Sequence, residues 1–249
     1  KTMTQRVAVV TGAQGGLGES MCKAMCDQDR RVVGSYLPGA EAEAQSWQAD
    51  MKAAGYDVAI YPLDVTDYDH CSSFIAKVEE EVGPIEILVN NAGITRDGPL
   101  KRLKPEQWQA VLRTNLDSMY NMCQPLFDAM CGRGFGRIVN ISSLNGEKGQ
   151  FGQANYSAAK AGIYGFTKAI AQEGARKGVT VNAVSPGYID TPMVRQVPEN
   201  VLNAIVDGIP VGRLGQPEEI ARAVAFLTAE DAGFVTGTNL SVNGGQYMS

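Results

Sequence analysis

"RVAVVTGAQGGLG", residues 6–18, is a short apolar run followed at once by a glycine cluster and then by a stretch compatible with a helix. Val7, Ala8, Val9 and Val10 are continuously hydrophobic, as a strand buried on both faces of a parallel sheet must be. Gly12, Gly15, Gly16 and Gly18 fall where that strand has to turn. The G-x-G-x-x-G spacing fails, because counted from Gly16 the third glycine position falls on Met21. What stands there is T-G-x-x-x-G-x-G. Glycines at these positions let backbone approach a pyrophosphate, and the start of the next helix presents free N–H groups and a positive dipole end. Gly12, Gln14, Gly15, Gly16, Leu17 and Gly18 are therefore candidate dinucleotide-binding residues. A purely structural glycine turn looks the same in isolation; the position after the first strand favours the ligand.

The same alternation runs to the end of the chain. Strand-like runs occur at 6–12, 31–36, 57–65, 85–93, 136–143, 179–187 and 237–245, with helical lengths between them such as 16–28, 67–82, 105–131 and 154–176. This pattern predicts an α/β fold: one doubly wound parallel sheet of about seven strands with helices on both faces. No linker, repeat or shift in composition divides residues 1–249, so a single domain is expected. Residues 187–215, rich in proline and glycine, read as a long irregular stretch and a candidate substrate lid. Lys1 and Thr2 precede Met3, where the native start is expected.

Composition narrows the class. With 22 Lys and Arg against 27 Asp and Glu, the net charge is −5, which offers nucleic acid or an anionic membrane no general attraction. No apolar run is long enough to span a bilayer. Five scattered cysteines without a C-x-x-C pattern are expected to be reduced and buried, in a cytoplasmic protein with no metal site. The single histidine, His70, reads as a surface helix residue and leaves no partner for a Ser–His hydrolase.

In open α/β sheets ligands bind beyond the carboxyl ends of the strands. Asp64 and Val65 close the third strand, where a carboxylate can accept from an adenine amino group. Asn91, Ala92 and Gly93 close the fourth, where small residues let a ring lie against backbone. Ser35 and Tyr36 close the second. Downstream, Tyr156 stands one helical turn before Lys160. A phenol has a pKa near ~10, and a neighbouring ammonium stabilises its anion, so the pair can pass a proton to or from a carbonyl oxygen. Ser143, at the end of "GRIVNISS", can supply a second hydrogen bond to the developing alkoxide.

"TGAQGGLG", "NNAG", "NISS", "YSAAK" and "SPG", in this order, resemble the short-chain dehydrogenase/reductase family over essentially the whole chain. The resemblance implies a Rossmann-type fold, catalytic Ser143, Tyr156 and Lys160, and Asn115 as the fourth member, bending a helix and holding a relay water. It also places Pro186, Gly187 and Thr191 beside a nicotinamide, brings Lys160 to the cofactor ribose, and implies a homotetramer built on the helices of 105–131 and 154–176. Within the family, "GQFGQANYSAAKAG", "NNAGITRDGPL" and "VSPGYIDTPMV" are most similar to the acetoacetyl-CoA reductases of polyhydroxybutyrate synthesis. That likeness implies an acyl-CoA thioester, acetoacetyl-CoA, contacted by Asp97, Gln150, Phe151, Gln153 and Tyr188. The glutamines can equally cap the helix that begins near Ala154.

Two alternatives stand beside this reading. A 3-oxoacyl-acyl-carrier-protein reductase would do the same chemistry on an acidic protein carrier, for which Arg133, Arg137, Arg176 and Lys177 could line the mouth. A non-catalytic dinucleotide sensor would lack a member of the tetrad, and none is lacking. For the cofactor, residues 32–51 hold no Lys or Arg to grip the 2′-phosphate of NADPH, and Glu41 and Glu43 would repel it. The acidic residue that typically binds the NADH ribose is missing too. The expectation is NADH, or use of both NADH and NADPH.

Overall fold

The computed structural model describes residues 5–248, the Met193 side chain excepted; the expected start at Met3 lies outside them. The strands are β1 (Val7–Val10), β2 (Arg31–Tyr36), β3 (Val58–Pro62), β4 (Ile85–Asn90), β5 (Gly136–Ile141), β6 (Val179–Pro186) and β7 (Asn239–Val242). They form one parallel sheet in the order β3-β2-β1-β4-β5-β6-β7. The chain moves outward from β1 to β3, then returns to the other side of β1 to lay down β4, so the strand order reverses between β1 and β4.

Helices α1 (Gly16–Asp27) and α2 (Glu41–Ala53) cover one face, and α3 (Tyr68–Glu81) covers the other. Next come α4 (Pro105–Leu112), α5 (Ser118–Arg133), α6 (Leu144–Lys148), α7 (Ala154–Gly174), α8 (Pro192–Arg195), α9 (Glu199–Asp207) and α10 (Pro217–Leu227). The two faces explain the doubly wound form. Phe74, Ile75 and Val78 of α3 pack with Met122, Leu126 and Met130 of α5 against Val9, Leu88 and Ile138. On the opposite face, Met21 and Met25 of α1 join Ile220, Val224 and Leu227 of α10 over Val10, Val89 and Val139.

The sheet also buries polar side chains, and two of its asparagines pair with each other. Asn90 and Asn140 lie opposite each other in the β4–β5 register; Asn90 donates to Asn140 at 2.9 Å, and Asn140 donates to Thr167 of α7 at 3.0 Å. This ladder fixes the register of two central strands and seats α7 on them. Cys22, Cys71 and Cys123 are buried, and all five cysteines are free. Burial pushes the thiols of Cys71 and Cys123 up to about 12, which makes them inert.

Several expectations change. The helix of 105–131 is interrupted by a π-helical turn, Arg113–Asp117, centred on Asn115. The 187–215 stretch contains α8 and α9; Pro192 opens the first and Pro198 caps the second, positions that need no N–H from proline. His70 is half-buried, and its Nδ1 accepts from the Asp64 N–H at 3.2 Å, so it holds the loop after β3. Arg133, Arg176 and Lys177 precede β5 or β6, and Arg137 is the second residue of β5, so all four lie at the amino end of the sheet, away from the carboxyl ends where ligands bind. Arg133 pairs with Glu79 at 3.1 Å and donates to the Ile85 carbonyl at 2.6 Å. Buried Arg137 donates to the Ala229 carbonyl at 3.1 Å and stacks on Phe135, whose ring also carries the Arg6 guanidinium. Arg6 in turn pairs with Glu86 and Glu230, and Arg30 reaches Glu230 at 3.0 Å.

Candidate active site

At the carboxyl end, the first turn is sewn to its neighbours. Thr11 Oγ1 accepts from the N–H groups of Asn91 (3.0 Å) and Ala92 (3.1 Å). Asn91 returns two hydrogen bonds from Nδ2, to the Thr11 carbonyl at 3.1 Å and the Gly12 carbonyl at 3.0 Å. The Gly12 N–H donates to Ser35 Oγ at 3.1 Å. These contacts explain the glycines: a Cβ on Gly12 would sit 3.0 Å from Ala92 Cα, and one on Gly18 would sit 2.2 Å from the Gly12 oxygen. Gly15 differs, having a positive φ of 86° and open space where a side chain would go. As the residue before α1, it offers no side-chain cap, so the first N–H groups of that helix have no side-chain partner.

The turn opens onto a cleft of about 890 Å³ along the carboxyl ends of the strands. All the residues expected to hold a dinucleotide line it: the 12–18 turn, Ser35, Tyr36, Asp64, Val65, Asn91 to Gly93, Tyr156, Lys160, Pro186, Gly187 and Thr191. Ser35 lines it with a hydroxyl already engaged by Gly12. The Asp64 carboxylate takes Thr66 through one oxygen, from the backbone at 2.9 Å and the hydroxyl at 2.7 Å, leaving the other uncommitted. Thr191 lies against the start of α1, 3.3 Å from where a Cβ on Gly16 would be.

Further along the cleft, Ser143 stands between β5 and α6, its backbone extended at φ −167°, and its hydroxyl accepts from the Asn145 N–H at 3.1 Å. Tyr156 and Lys160 come from the first two turns of α7. Burial raises the Tyr156 phenol above its ordinary value, while a hydrogen bond with Ser143 pulls it down. The phenol is thus protonated at neutral pH, the state a proton donor needs. Lys160 lies 5.6 Å from the centre of the Tyr156 ring and donates to the Ile141 carbonyl at 2.8 Å. Burial lowers its ammonium to about 8. Asn115 spends its whole amide on backbone: Oδ1 accepts from the Ile94 N–H (3.1 Å), and Nδ2 donates to the Ile94 (2.8 Å) and Val111 (3.1 Å) carbonyls. It therefore secures the strand leaving Gly93, where any Cβ would lie 2.5 Å from Asn115 Oδ1.

Two neighbours were not singled out from the sequence. Tyr164 donates to the Ser143 carbonyl at 3.0 Å and meets Ser185 Oγ at 3.0 Å, so it positions Ser143. It stands four residues after Lys160, and helical spacing alone could have pointed to it. Asn155 is wholly buried and accepts from the Tyr156 N–H at 2.8 Å while donating to the Arg96 carbonyl at 3.0 Å. No spacing rule reveals that contact.

The substrate candidates separate. Gln153 and Tyr188 are on the cleft wall. Asp97 stands behind Gln153, which donates to it at 3.0 Å and accepts from Asn145 at 2.8 Å. Gln150 is off the wall, its side-chain oxygen held by Lys148 at 2.8 Å, and Phe151 projects outward, 86% exposed. Positive φ at Gly149 (72°) and Gly152 (80°) turns this short segment away from the floor.

A family model described as enoyl-(acyl carrier protein) reductase matches residues 12–246. The acetoacetyl-CoA reductase of Rhizobium meliloti is 54% identical over 245 residues, 98% of this chain and 99% of that protein. The corresponding enzyme of Allochromatium vinosum is 50% identical over 243 residues, again 98% and 99%. The 3-oxoacyl-(acyl-carrier-protein) reductase of Haemophilus influenzae is 42% identical over 247 residues, 99% of this chain and all of that protein. The chain belongs to the short-chain dehydrogenase/reductase family. It is an oxidoreductase fold that takes a nicotinamide dinucleotide, and the uncapped α1 terminus beside open Gly15 fits the pyrophosphate of that group. Among the described residues no cluster of His, Cys, Asp or Glu could hold a metal, and no helix is long and apolar enough to cross a membrane.

For this short-chain dehydrogenase/reductase, the buried lysine carries a stability cost. Its folded pKa of about 8 lies below the unfolded value of about 10.4, so the folded chain binds fewer protons between these pH values. The cost is present in full below the folded value and declines as pH rises through the window. Lys160→Met should therefore stabilise the protein at neutral pH by roughly 1–3 kcal/mol, the gain shrinking above pH 8. Thermal melts across that range would show it; a variant that melts lower than the parent at neutral pH contradicts the assignment.

Proposed function

We propose that the protein is an acetoacetyl-CoA reductase, converting acetoacetyl-CoA to (R)-3-hydroxybutyryl-CoA for polyhydroxyalkanoate synthesis, with the stereochemistry taken from the resemblance. The observation that carries the reading is that Ser143, Tyr156 and the buried Lys160 line one wall of a cleft that fits a dinucleotide, with the Lys160 ammonium 5.6 Å from the centre of the Tyr156 ring. A bound reduced nicotinamide supplies the hydride to C3 of the substrate. Tyr156 gives its proton to the C3 oxygen, and Ser143 donates a hydrogen bond to that oxygen as charge develops. The Lys160 charge stabilises the phenolate left behind. Asn115 keeps the floor of the cleft in place through Ile94. Gln153 and Tyr188 border the space for the acyl group, and the 187–215 segment, which contributes Tyr188, Thr191 and Val194 to the wall, serves as its lid.

The protein-carrier alternative is less well supported: the basic residues that would have favoured it lie at the amino end of the sheet. The identity to the acetoacetyl-CoA reductases is also higher than to the carrier-protein reductase. A homotetramer formed through α4, α5 and α7 accords with the exposure of Trp108 and Tyr120 on two of these helices.

We infer a preference for NADH. Among the described residues lining the cleft the only cations are Arg96 and Lys160, both on the β4–α7 side, and the β2 end presents Ser35, Tyr36 and Leu37. Glu41 folds back to accept from the Gly39 N–H at 3.1 Å, adding negative charge there. A 2′-phosphate would find no partner. In steady-state assays kcat/KM with NADH should exceed that with NADPH by about tenfold or more, the loss of one charge-assisted contact; a preference for NADPH refutes this.

Tyr156→Phe removes the proton donor and leaves the ring, Lys160 and the rest of the dinucleotide-lining cleft in place. It should lower kcat on acetoacetyl-CoA by at least about 10²-fold while cofactor affinity stays within a few-fold. Retention of most of the turnover would exclude the donor role.

A further inference from the structure

We infer that the segment between β4 and α4 carries a landing ledge for the anionic nucleotide end of coenzyme A, built from Arg96, Lys101 and Arg102 beside Leu100 and Phe151. The inference rests on the acyl-CoA reading above and names the surface that grips the handle of the thioester.

Coenzyme A brings a diphosphate and a 3′-phosphate to a protein whose net charge is −5. Overall repulsion must be overcome by cations placed where the handle emerges. Lys160 is wholly buried on the Ile141 carbonyl, which leaves Arg96 as the solvent-facing cation of the cleft wall. Beyond one hydrogen bond from Nη1 to the Thr95 carbonyl (2.7 Å), its guanidinium is uncommitted. Lys101 and Arg102 follow in a short 3₁₀ turn, Leu100–Arg102, and both are exposed. Among the described residues none of these three makes an ion pair. Exposed cations of the 187–215 segment are different: Arg195 is committed to Asp190 at 2.7 Å and Arg213 to Glu219 at 2.8 Å.

The apolar half of the ledge lies on the same rim. The Gly98 N–H donates to the Gly152 carbonyl at 2.8 Å, joining this segment to the turn before α7. Leu100 and Phe151 flank that joint, 74% and 86% exposed. An aromatic face open to solvent beside guanidinium groups suits a purine ring with phosphates attached, since the base stacks while the phosphates take the charge-assisted hydrogen bonds. The ledge is also preorganised from below, because Asn115 holds both backbone groups of Ile94 and Asn155 holds the Arg96 carbonyl. Binding then has side chains to order and little backbone. Phe151 thus has a place in substrate recognition, outside the cleft and not against the acyl group. The cations occupy one short segment, a footprint suited to a nucleotide and small beside a stable protein interface. An acidic carrier protein is accordingly the disfavoured occupant.

The test is the Lys101→Ala/Arg102→Ala protein, which leaves the cleft wall intact, with binding of free coenzyme A measured by calorimetry apart from turnover. Its Kd should rise about tenfold or more over the parent's, and its binding should weaken with salt less steeply than the parent's. Turnover of acetoacetyl-pantetheine, which lacks the nucleotide, should be equal in the two proteins and shows separately that both are folded reductases. Equal coenzyme A affinity in the two proteins overturns the ledge, as does a parent that does not bind coenzyme A. A variant impaired on an acyl-carrier-protein thioester but not on coenzyme A assigns the cations to a protein carrier and overturns it as well. Failure of both proteins on acetoacetyl-pantetheine with normal coenzyme A binding would instead refute the proposed reaction.

Discussion

The backbone of Gly12 presses on the backbone of Ala92, and there is no room between them for even one methyl group. From this approach the rest of the site follows. It requires glycine at position 12, and it brings Thr11 near enough to accept from two N–H groups of the β4 end. With β2 tied in through Ser35, the ends of three adjacent strands become one rigid floor at the point where strand order reverses. The helix that leaves this floor starts on a glycine without a cap, so its N–H groups are left for a ligand. The same floor continues through Gly93 to Asn115 and Lys160, which links the dinucleotide end of the cleft to the proton-donating end.

The two ends of the sheet have opposite chemistry. At the amino end, charges satisfy each other: Arg6, Arg30, Glu86 and Glu230 form a network around a Phe135 ring held between two guanidiniums. At the carboxyl end, donors and acceptors are left over, among them the α1 N–H groups and one oxygen of Asp64. Such groups cost little while water can reach them, and much once a site closes without a partner. Lys160 is the exception, because it is already out of water with a single carbonyl as its partner. Its burial is favourable only in the context of the phenol it accompanies, a stability cost carried by a functional residue.

The sheet was legible because buried parallel strands must be almost wholly apolar, and the first turn because close backbone contacts exclude side chains. That Tyr156 and Lys160 share a face of one helix was legible through their spacing of four. Residues that lie off the cleft wall do so for geometric reasons. Arg137 is only a few positions from Ser143 in sequence, but a six-residue strand at ~3.3 Å per residue carries the two to opposite ends of β5. Phe151 and Gln150 precede Tyr156 closely, yet two glycines with positive φ turn them outward. The proline-rich 187–215 stretch read as irregular, although proline at a helix start is compatible with the fold. Asn115, Asn155 and the Asn90–Asn140 pair depend on which backbone groups the tertiary fold brings near them. No local pattern carries that information.

The central claim is that this cleft moves a hydride to the C3 carbon of a 3-oxoacyl thioester while the protein supplies the proton. It is tested most directly by turning over acetoacetyl-CoA with a nicotinamide deuterated at the transferring position and examining the product by mass spectrometry and NMR. The account predicts 3-hydroxybutyryl-CoA with one deuterium, bound to C3. Absence of the hydroxy product, or product whose C3 hydrogen comes from water, would contradict it.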